Sequence, residues 1–133
     1  MSITHLTLAH WCLIVAAVLP FIAAWIAKAG SFKPHDNTSP RDWAAHQSGW
    51  RARGLAAQSN SFEGLPLFFA AVLAAQQWGA DVARVDMLAV AYVLLRCVYI
   101  ALYLRGLGTA RSVVWTLGLV TNLAIFFVAP LTR

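Results

Sequence analysis

Four long apolar segments dominate the chain, and polar residues gather in the connections between them. Each segment has the roughly 20 mostly apolar residues that an α-helix needs to cross about 30 Å of hydrocarbon. A strand open to lipid would leave its backbone unpaired, so the pattern favours helices. We therefore predict an all-α integral membrane fold, a bundle of four transmembrane helices. The predicted helices cover about residues 6–28, 52–78, 87–105 and 111–131.

The composition supports this fold class. Of the 133 residues, 60% are apolar and only 11% are charged, whereas a soluble domain carries about 25% charged residues. The chain has no internal repeat and no low-complexity segment, so we expect residues 1–133 to form a single membrane domain. The first apolar segment lacks a positively charged start and a small-residue cleavage site, which predicts a retained helix rather than a signal peptide.

Lysine and arginine are distributed unequally between the predicted connections, and this asymmetry predicts the orientation. The connections after the first and third helices carry seven of these cations, while the opposite side carries Arg84 and Arg133. We therefore expect both odd-numbered loops in the cytoplasm and both termini in the periplasm of a bacterial inner membrane. The net charge of +5 is then a property of the cytoplasmic face, and no motif indicates nucleic-acid binding. The seven cations are Lys28, Lys33, Arg41, Arg51, Arg53, Arg105 and Arg111.

Glu63 and Arg96 are the charged residues inside the most apolar parts of these segments, residues 6–27, 60–78, 87–104 and 112–132. A charge at such a position costs about 2.5–3.5 kcal/mol on insertion scales and usually marks a functional site. The antiparallel second and third helices would bring the two side chains together near the cytoplasmic side, so we predict an ion pair. A purely structural pair that neutralises two charges would explain the same residues. Helical spacing aligns Arg53 and Asn60 with Glu63, and Tyr99 and Tyr103 with Arg96.

A short helix is predicted in the connection between the first two apolar segments. Ser39 suits an N-cap, Pro40 the first helical position and Asp42 the first turn. Trp43 and Trp50 lie seven residues apart, so they would share one face of this helix at the level of the lipid headgroups. The second long helix is expected to begin near Trp50 and to project into the cytoplasm.

The polar residues of the second and third helices carry a family resemblance. Together with the helix number and loop lengths, they resemble the MAPEG family, the membrane-associated proteins in eicosanoid and glutathione metabolism, and in particular its small bacterial branch. The resemblance covers nearly the whole chain and implies a homotrimer that holds glutathione, as co-substrate, between neighbouring subunits near the cytoplasmic face. The family includes microsomal glutathione transferases, leukotriene C synthase and microsomal prostaglandin E synthase. The motifs are Arg53-x3-Ala57-x2-Asn60-x2-Glu63-x2-Pro66-x-Phe68 and Arg96-x2-Tyr99-x3-Tyr103.

The resemblance also implies roles for individual residues. Arg111 corresponds best to the arginine that activates the glutathione thiol, at a distance from Tyr103 one residue longer than in leukotriene C synthase. Ala56 stands where the eicosanoid enzymes have a glutathione-binding arginine, and Gly64 stands where several members have tyrosine. The positions implied for glutathione binding are Arg53, Asn60, Glu63, Arg96, Tyr99, Tyr103 and Arg105.

Three functions are compatible with these features. The first is a glutathione-dependent transferase or peroxidase acting on lipophilic electrophiles, and the second is a non-catalytic member of the same fold that binds a lipid or serves as a scaffold. The third, a small proton-coupled drug exporter, ranks last because such exporters carry their glutamate in the first helix. His5 and His10 would lie about 140° apart around a helix, so no metal site is expected. The expected partners are membrane lipids, a lipophilic small molecule and further copies of the chain.

Overall fold

A computed structural model describes residues 5–131, and every regular element within that range is helical. The prediction of an all-α fold is confirmed. The terminal residues 1–4 and 132–133 lie outside the described range, and with them the contribution of Arg133 to the charge asymmetry. The helices are α1 (Leu8–Lys28), α2 (Pro40–Ala45), α3 (Gly49–Gln77), α4 (Val82–Arg105) and α5 (Gly108–Leu131), and a 3-10 turn covers Pro34–Thr38.

The last two helices begin earlier than the apolar segments that predicted them. α4 starts at Val82 rather than at residue 87, because Asp81 caps it by accepting a hydrogen bond from the backbone N–H of Arg84 (3.0 Å). α5 starts at Gly108 rather than at residue 111. Hydropathy marks where a helix can enter hydrocarbon, whereas capping groups decide where the helix begins. The connections are therefore shorter than predicted, at residues 78–81 and 106–107.

The four long helices pack as a bundle in which α3 and α4 are the central pair. α1 packs against both of these helices, α5 packs against the same two, and α3 and α4 contact each other. One core cluster surrounds Phe68, Val72 and Ile125, and a second surrounds Ala57 and Tyr99 nearer the start of α3. The short connections make successive long helices antiparallel, so the ends of α1 and α4 meet the beginnings of α3 and α5.

The distribution of side-chain sizes is that of a membrane protein. On α1 small residues face the bundle, with Ala9 and Ala23 both at 0% exposure, while Trp11 and Trp25 are 54% and 63% exposed. Small residues let helix backbones approach closely, and large apolar side chains on the outside suit lipid. Within residues 5–131, α1, α4 and α5 are long and apolar enough to span a membrane. α3 is longer than any of them but carries polar residues along its first half.

The short helix in the connection begins as predicted, but its relation to the next helix was predicted wrongly. Trp43 and Trp50 lie on different helices, because α2 ends at Ala45 and the chain turns before α3. Gly49 makes that turn with a φ of 62°, in the left-handed region that favours glycine. Trp43 packs edge-on against Phe32, and Trp50 lies under the guanidinium of Arg51.

Side chains from α3 and α4 cap the two ends of α1. At its C-terminal end, Arg51 donates hydrogen bonds to the carbonyl oxygens of Ala27 (2.8 Å) and Ala29 (2.7 Å). At its N-terminal end, Asp86 accepts a hydrogen bond from the backbone N–H of Ala9 (2.8 Å). A cation at a helix C-terminus and a carboxylate at an N-terminus both complement the helix dipole. The three helices are thus joined by contacts at opposite ends of the bundle.

Candidate functional site

The buried charge of the bundle, Arg96 of α4, is partnered by two neutral groups on α3. Its guanidinium donates hydrogen bonds to Asn60 Oδ1 (3.0 Å) and to Ser61 Oγ (3.2 Å). Arg96 is 6% exposed and Ser61 is 4% exposed, so the contact lies inside the bundle. A buried cation is costly unless acceptors satisfy its donors, because an unpaired donor in a low-dielectric setting keeps its desolvation penalty. The first half of α3 supplies these acceptors.

The predicted ion pair between Glu63 and Arg96 is wrong. Within residues 5–131, the contact closer than 4.0 Å between a carboxylate oxygen and a basic nitrogen joins Asp36 and His35, and it is an ion pair only when the imidazole is protonated. Glu63 lies two residues after Ser61, and two residues turn a helix by about 200°. The helix face that buries Ser61 against α4 therefore directs Glu63 outward, and its side chain is exposed. Glu63 and Arg96 line the same cavity without touching.

Four of the predicted site residues form a continuous row in which two aromatic rings lie between two guanidinium groups. The guanidinium of Arg96 lies 4.1 Å from the ring centroid of Tyr99, and Tyr99 packs edge-on against Tyr103 at 5.6 Å. The guanidinium of Arg111, in the first turn of α5, lies 4.2 Å from the Tyr103 ring. Cations are attracted to the faces of aromatic rings. The row therefore connects the interior of α4 to the N-terminal end of α5.

Arg53 and Arg105 lie apart from this row and from the contact between Arg96 and Asn60. Arg53 donates hydrogen bonds from Nε (3.1 Å) and Nη2 (3.0 Å) to the carbonyl oxygen of Leu104, and so caps the C-terminal end of α4. Its guanidinium packs against Gly106, which ends α4 with a φ of 74° and where a Cβ would lie 3.5 Å from the Arg53 side chain. Arg105, the last residue of α4, is exposed.

A cavity of about 200 Å³ lies beneath the row, between α3, α4 and α5. Asn60, Glu63 and Arg96 line it, so the structure brings these three predicted residues together. Its exposed lining residues include Glu63, Leu67 and Trp115, which places the opening between α3 and α5. The lining residues are Asn60, Glu63, Gly64, Leu67, Tyr92, Arg96, Trp115, Gly118, Leu119 and Asn122.

The sequence pattern did not mark Tyr92, Trp115 or Asn122 as site residues. Tyr92 precedes Arg96 by four residues, so helical spacing could have added it to the same stripe. Trp115 follows Arg111 by four residues on α5 in the same way. Asn122 is 3% exposed and its Oδ1 has no hydrogen-bond partner among residues 5–131.

Metal ligation finds no support in the part of the chain that the structure describes. No three His, Cys, Asp or Glu side chains come together within residues 5–131. His10 has a local contact instead, since its Nδ1 accepts a hydrogen bond from the backbone N–H of Thr7 (2.9 Å) at the start of α1.

Comparison with known proteins gives one match. No curated protein and no solved structure matches the chain. A family model, that of the MAPEG family, matches residues 8–131, which is nearly the whole chain. Three apolar helices of spanning length accompany this match, so the protein is an integral membrane protein. The chain belongs to the MAPEG family.

Proposed function

We propose that the protein is a glutathione-dependent transferase or peroxidase that acts on lipophilic electrophiles at the membrane. One observation carries the proposal: in a member of this family, Arg96, Tyr99, Tyr103 and Arg111 form one row from the cavity to the start of α5. Guanidinium groups bind carboxylates and thiolates, and phenol groups donate hydrogen bonds to them. Glutathione carries both kinds of anion.

The proposed chemistry places the glutathione sulfur beside Arg111. The thiolate, not the thiol, is the nucleophile. A guanidinium stays protonated, so it stabilises the thiolate without competing for its proton. Arg111 stands in the first turn of α5, where the positive end of the helix dipole acts in the same direction. In conjugation, the sulfur forms a bond to an electrophilic carbon, and the leaving group departs with its electron pair.

The proposal includes a four-span subunit and a trimer. α3 packs against α1, α4 and α5 along the bundle, and its polar residues Asn60 and Ser61 are turned toward Arg96 rather than toward lipid. This internal pairing supports α3 as a fourth span despite its lower hydropathy. Asn60 is half-buried and Glu63 exposed in the single chain, which supports a site completed by a neighbouring subunit. We place the termini in the periplasm, as the charge asymmetry requires.

The test separates glutathione binding from thiol activation. Calorimetry on the purified protein in detergent should show saturable binding of glutathione, and difference spectra should show thiolate absorbance near about 240 nm at neutral pH. The Arg111→Gln variant should bind glutathione within a few-fold of the wild type while losing this absorbance. It should also need a higher pH to conjugate an activated aryl chloride. Arg84→Gln, at the other end of α4, is the matched control and should behave as the wild type.

Native mass spectrometry in the same detergent should show a trimer. A wild type that binds glutathione without forming thiolate, or a variant that keeps the thiolate, would contradict the role of Arg111. A protein that binds no glutathione would support the alternative, a non-catalytic member of the family that binds a lipid. Arg53 favours that alternative, because its guanidinium is already bonded to Leu104 and Ala56 supplies no replacement cation.

A further inference from the structure

The inner end of the cavity carries one side-chain oxygen that is available to a ligand. Asn122 of α5 lines the cavity, is 3% exposed, and has an Oδ1 without a hydrogen-bond partner among residues 5–131. An unpaired buried acceptor costs free energy, so nearly all such groups in proteins are bonded. Asn122 lies eleven residues after Arg111, or about 16 Å farther along α5. This acceptor is therefore deep in the bundle and distinct from the row of Arg96 to Arg111.

A hydroxyl group lies beside Asn122 and is held in place by packing. The Tyr92 ring stacks on Phe68 with a centroid distance of 4.2 Å. Its hydroxyl lies against Gly64, where a Cβ would approach within 3.0 Å, and a Cβ at Gly118 would lie 3.6 Å from the ring. Both glycines and Asn122 line the cavity together with Tyr92. Gly64 thus makes room for a tyrosine whose hydroxyl faces the same space as the Asn122 amide, and Gly118 leaves ordinary contact distance to the ring.

The other residues that line the cavity determine which class of molecule it can bind. Leu67, Trp115 and Leu119 make most of the wall apolar. The guanidinium of Arg96 disfavours a cationic ligand, and the Glu63 carboxylate disfavours an anionic one at the mouth. A neutral hydroxyl both donates and accepts, so it can bond Asn122 and Tyr92 at the same time.

We propose that the cavity binds the hydroxyl group of an otherwise apolar molecule, between the side chains of Asn122 and Tyr92. The mouth lies between α3 and α5, with Leu67 and Trp115 exposed on it, so such a molecule enters between these two helices. The assignment of this molecule as the second substrate rests on the proposed function. The existence of the binding site does not, because neither Asn122 nor Tyr92 belongs to the row of Arg96 to Arg111.

The test uses two matched probes and no glutathione. 4-Fluoroanisole carries a methyl group in place of the hydroxyl hydrogen of 4-fluorophenol, so only the phenol can donate a hydrogen bond to Asn122. Fluorine NMR follows both probes in detergent micelles with and without protein. The phenol should bind the wild type saturably and about tenfold more tightly than the anisole, because one buried hydrogen bond to an otherwise unpaired group gives about this discrimination.

Asn122→Leu keeps the side-chain size and removes the acceptor, so it should bring the phenol to the affinity of the anisole. Thr121→Val is the control, since the Thr121 hydroxyl donates to Leu117 of its own helix (2.7 Å) and lies outside the cavity. Equal binding of the two probes to the wild type would overturn the inference, even if Asn122→Leu fails to fold. An Asn122→Leu variant that still binds the phenol more tightly than the anisole would also overturn it. Because glutathione is absent, a failure here is separate from a failure to bind glutathione.

Discussion

Arg96 and Ser61 should be energetically coupled, and the coupling can be measured with the substitutions Ser61→Ala and Arg96→Met. The hydrogen bond between them is 3.2 Å long and both residues are at most 6% exposed. A hydrogen bond to a charged group contributes about 1.5–3 kcal/mol. Ser61→Ala should therefore destabilise the wild type by about that amount. In the Arg96→Met background the same substitution should have almost no effect, since the Ser61 hydroxyl can turn to the preceding turn of its own helix.

The assay is unfolding by sodium dodecyl sulfate in mixed micelles, followed by far-ultraviolet circular dichroism, with the four proteins compared as a double-mutant cycle. The comparison cycle uses Glu63→Gln with Arg96→Met. Glu63 is exposed and makes no ion pair with Arg96, so its coupling should stay below about 1 kcal/mol. If Glu63 couples to Arg96 more strongly than Ser61 does, the assignment of neutral partners to this charge is refuted.

Three further predictions concern the packing and orientation of the bundle. Asp86→Ala should lower the free energy of unfolding by about 1–2 kcal/mol, because it removes the acceptor that caps α1; no change would contradict that cap. Gly54→Ala should lower the free energy of unfolding by about 1–3 kcal/mol, since its Cβ would lie 3.0 Å from α1. Gly118→Ala should leave that free energy unchanged or raise it by up to about 1 kcal/mol. A Gly118→Ala variant less stable than Gly54→Ala would contradict the packing. In a cysteine-free background of intact cells, Gln77→Cys should react with an impermeant maleimide and Ser48→Cys should not, and the opposite labelling would invert the proposed orientation.

The helices were predictable from the sequence because their signals are local. Runs of apolar residues, the Ser39-Pro40 helix start and the polar connections each depend on neighbours in the chain. The start of α3 near Trp50 was predicted, but the end of α2 at Ala45 was missed, because the spacing of Trp43 and Trp50 was compatible with one face of a single helix. What ended that helix is a backbone conformation, and spacing alone carries no information about it.

The site was only partly predictable, because opposite charges in two membrane helices suggest a pair wherever they lie. The burial of Ser61, not the charge of Glu63, determines which side of α3 faces Arg96. Serine has a hydropathy near that of many weakly polar residues, so the sequence pattern did not mark Ser61 as the hydrogen-bond partner of Arg96. Tyr92 was missed for a similar reason: its place between Gly64 and Gly118 depends on two other helices.

The end contacts of α1 determine how the bundle responds to a bilayer of a different thickness. α1 is held to α3 by Arg51 at one end and to α4 by Asp86 at the other. A helix that slid along its neighbours to match a thinner or thicker hydrocarbon layer would break one of these contacts. Hydrophobic mismatch is therefore met by tilting all helices together or by deforming the lipid around them. The depth of α1 relative to α3 and α4 therefore stays constant from one membrane to another.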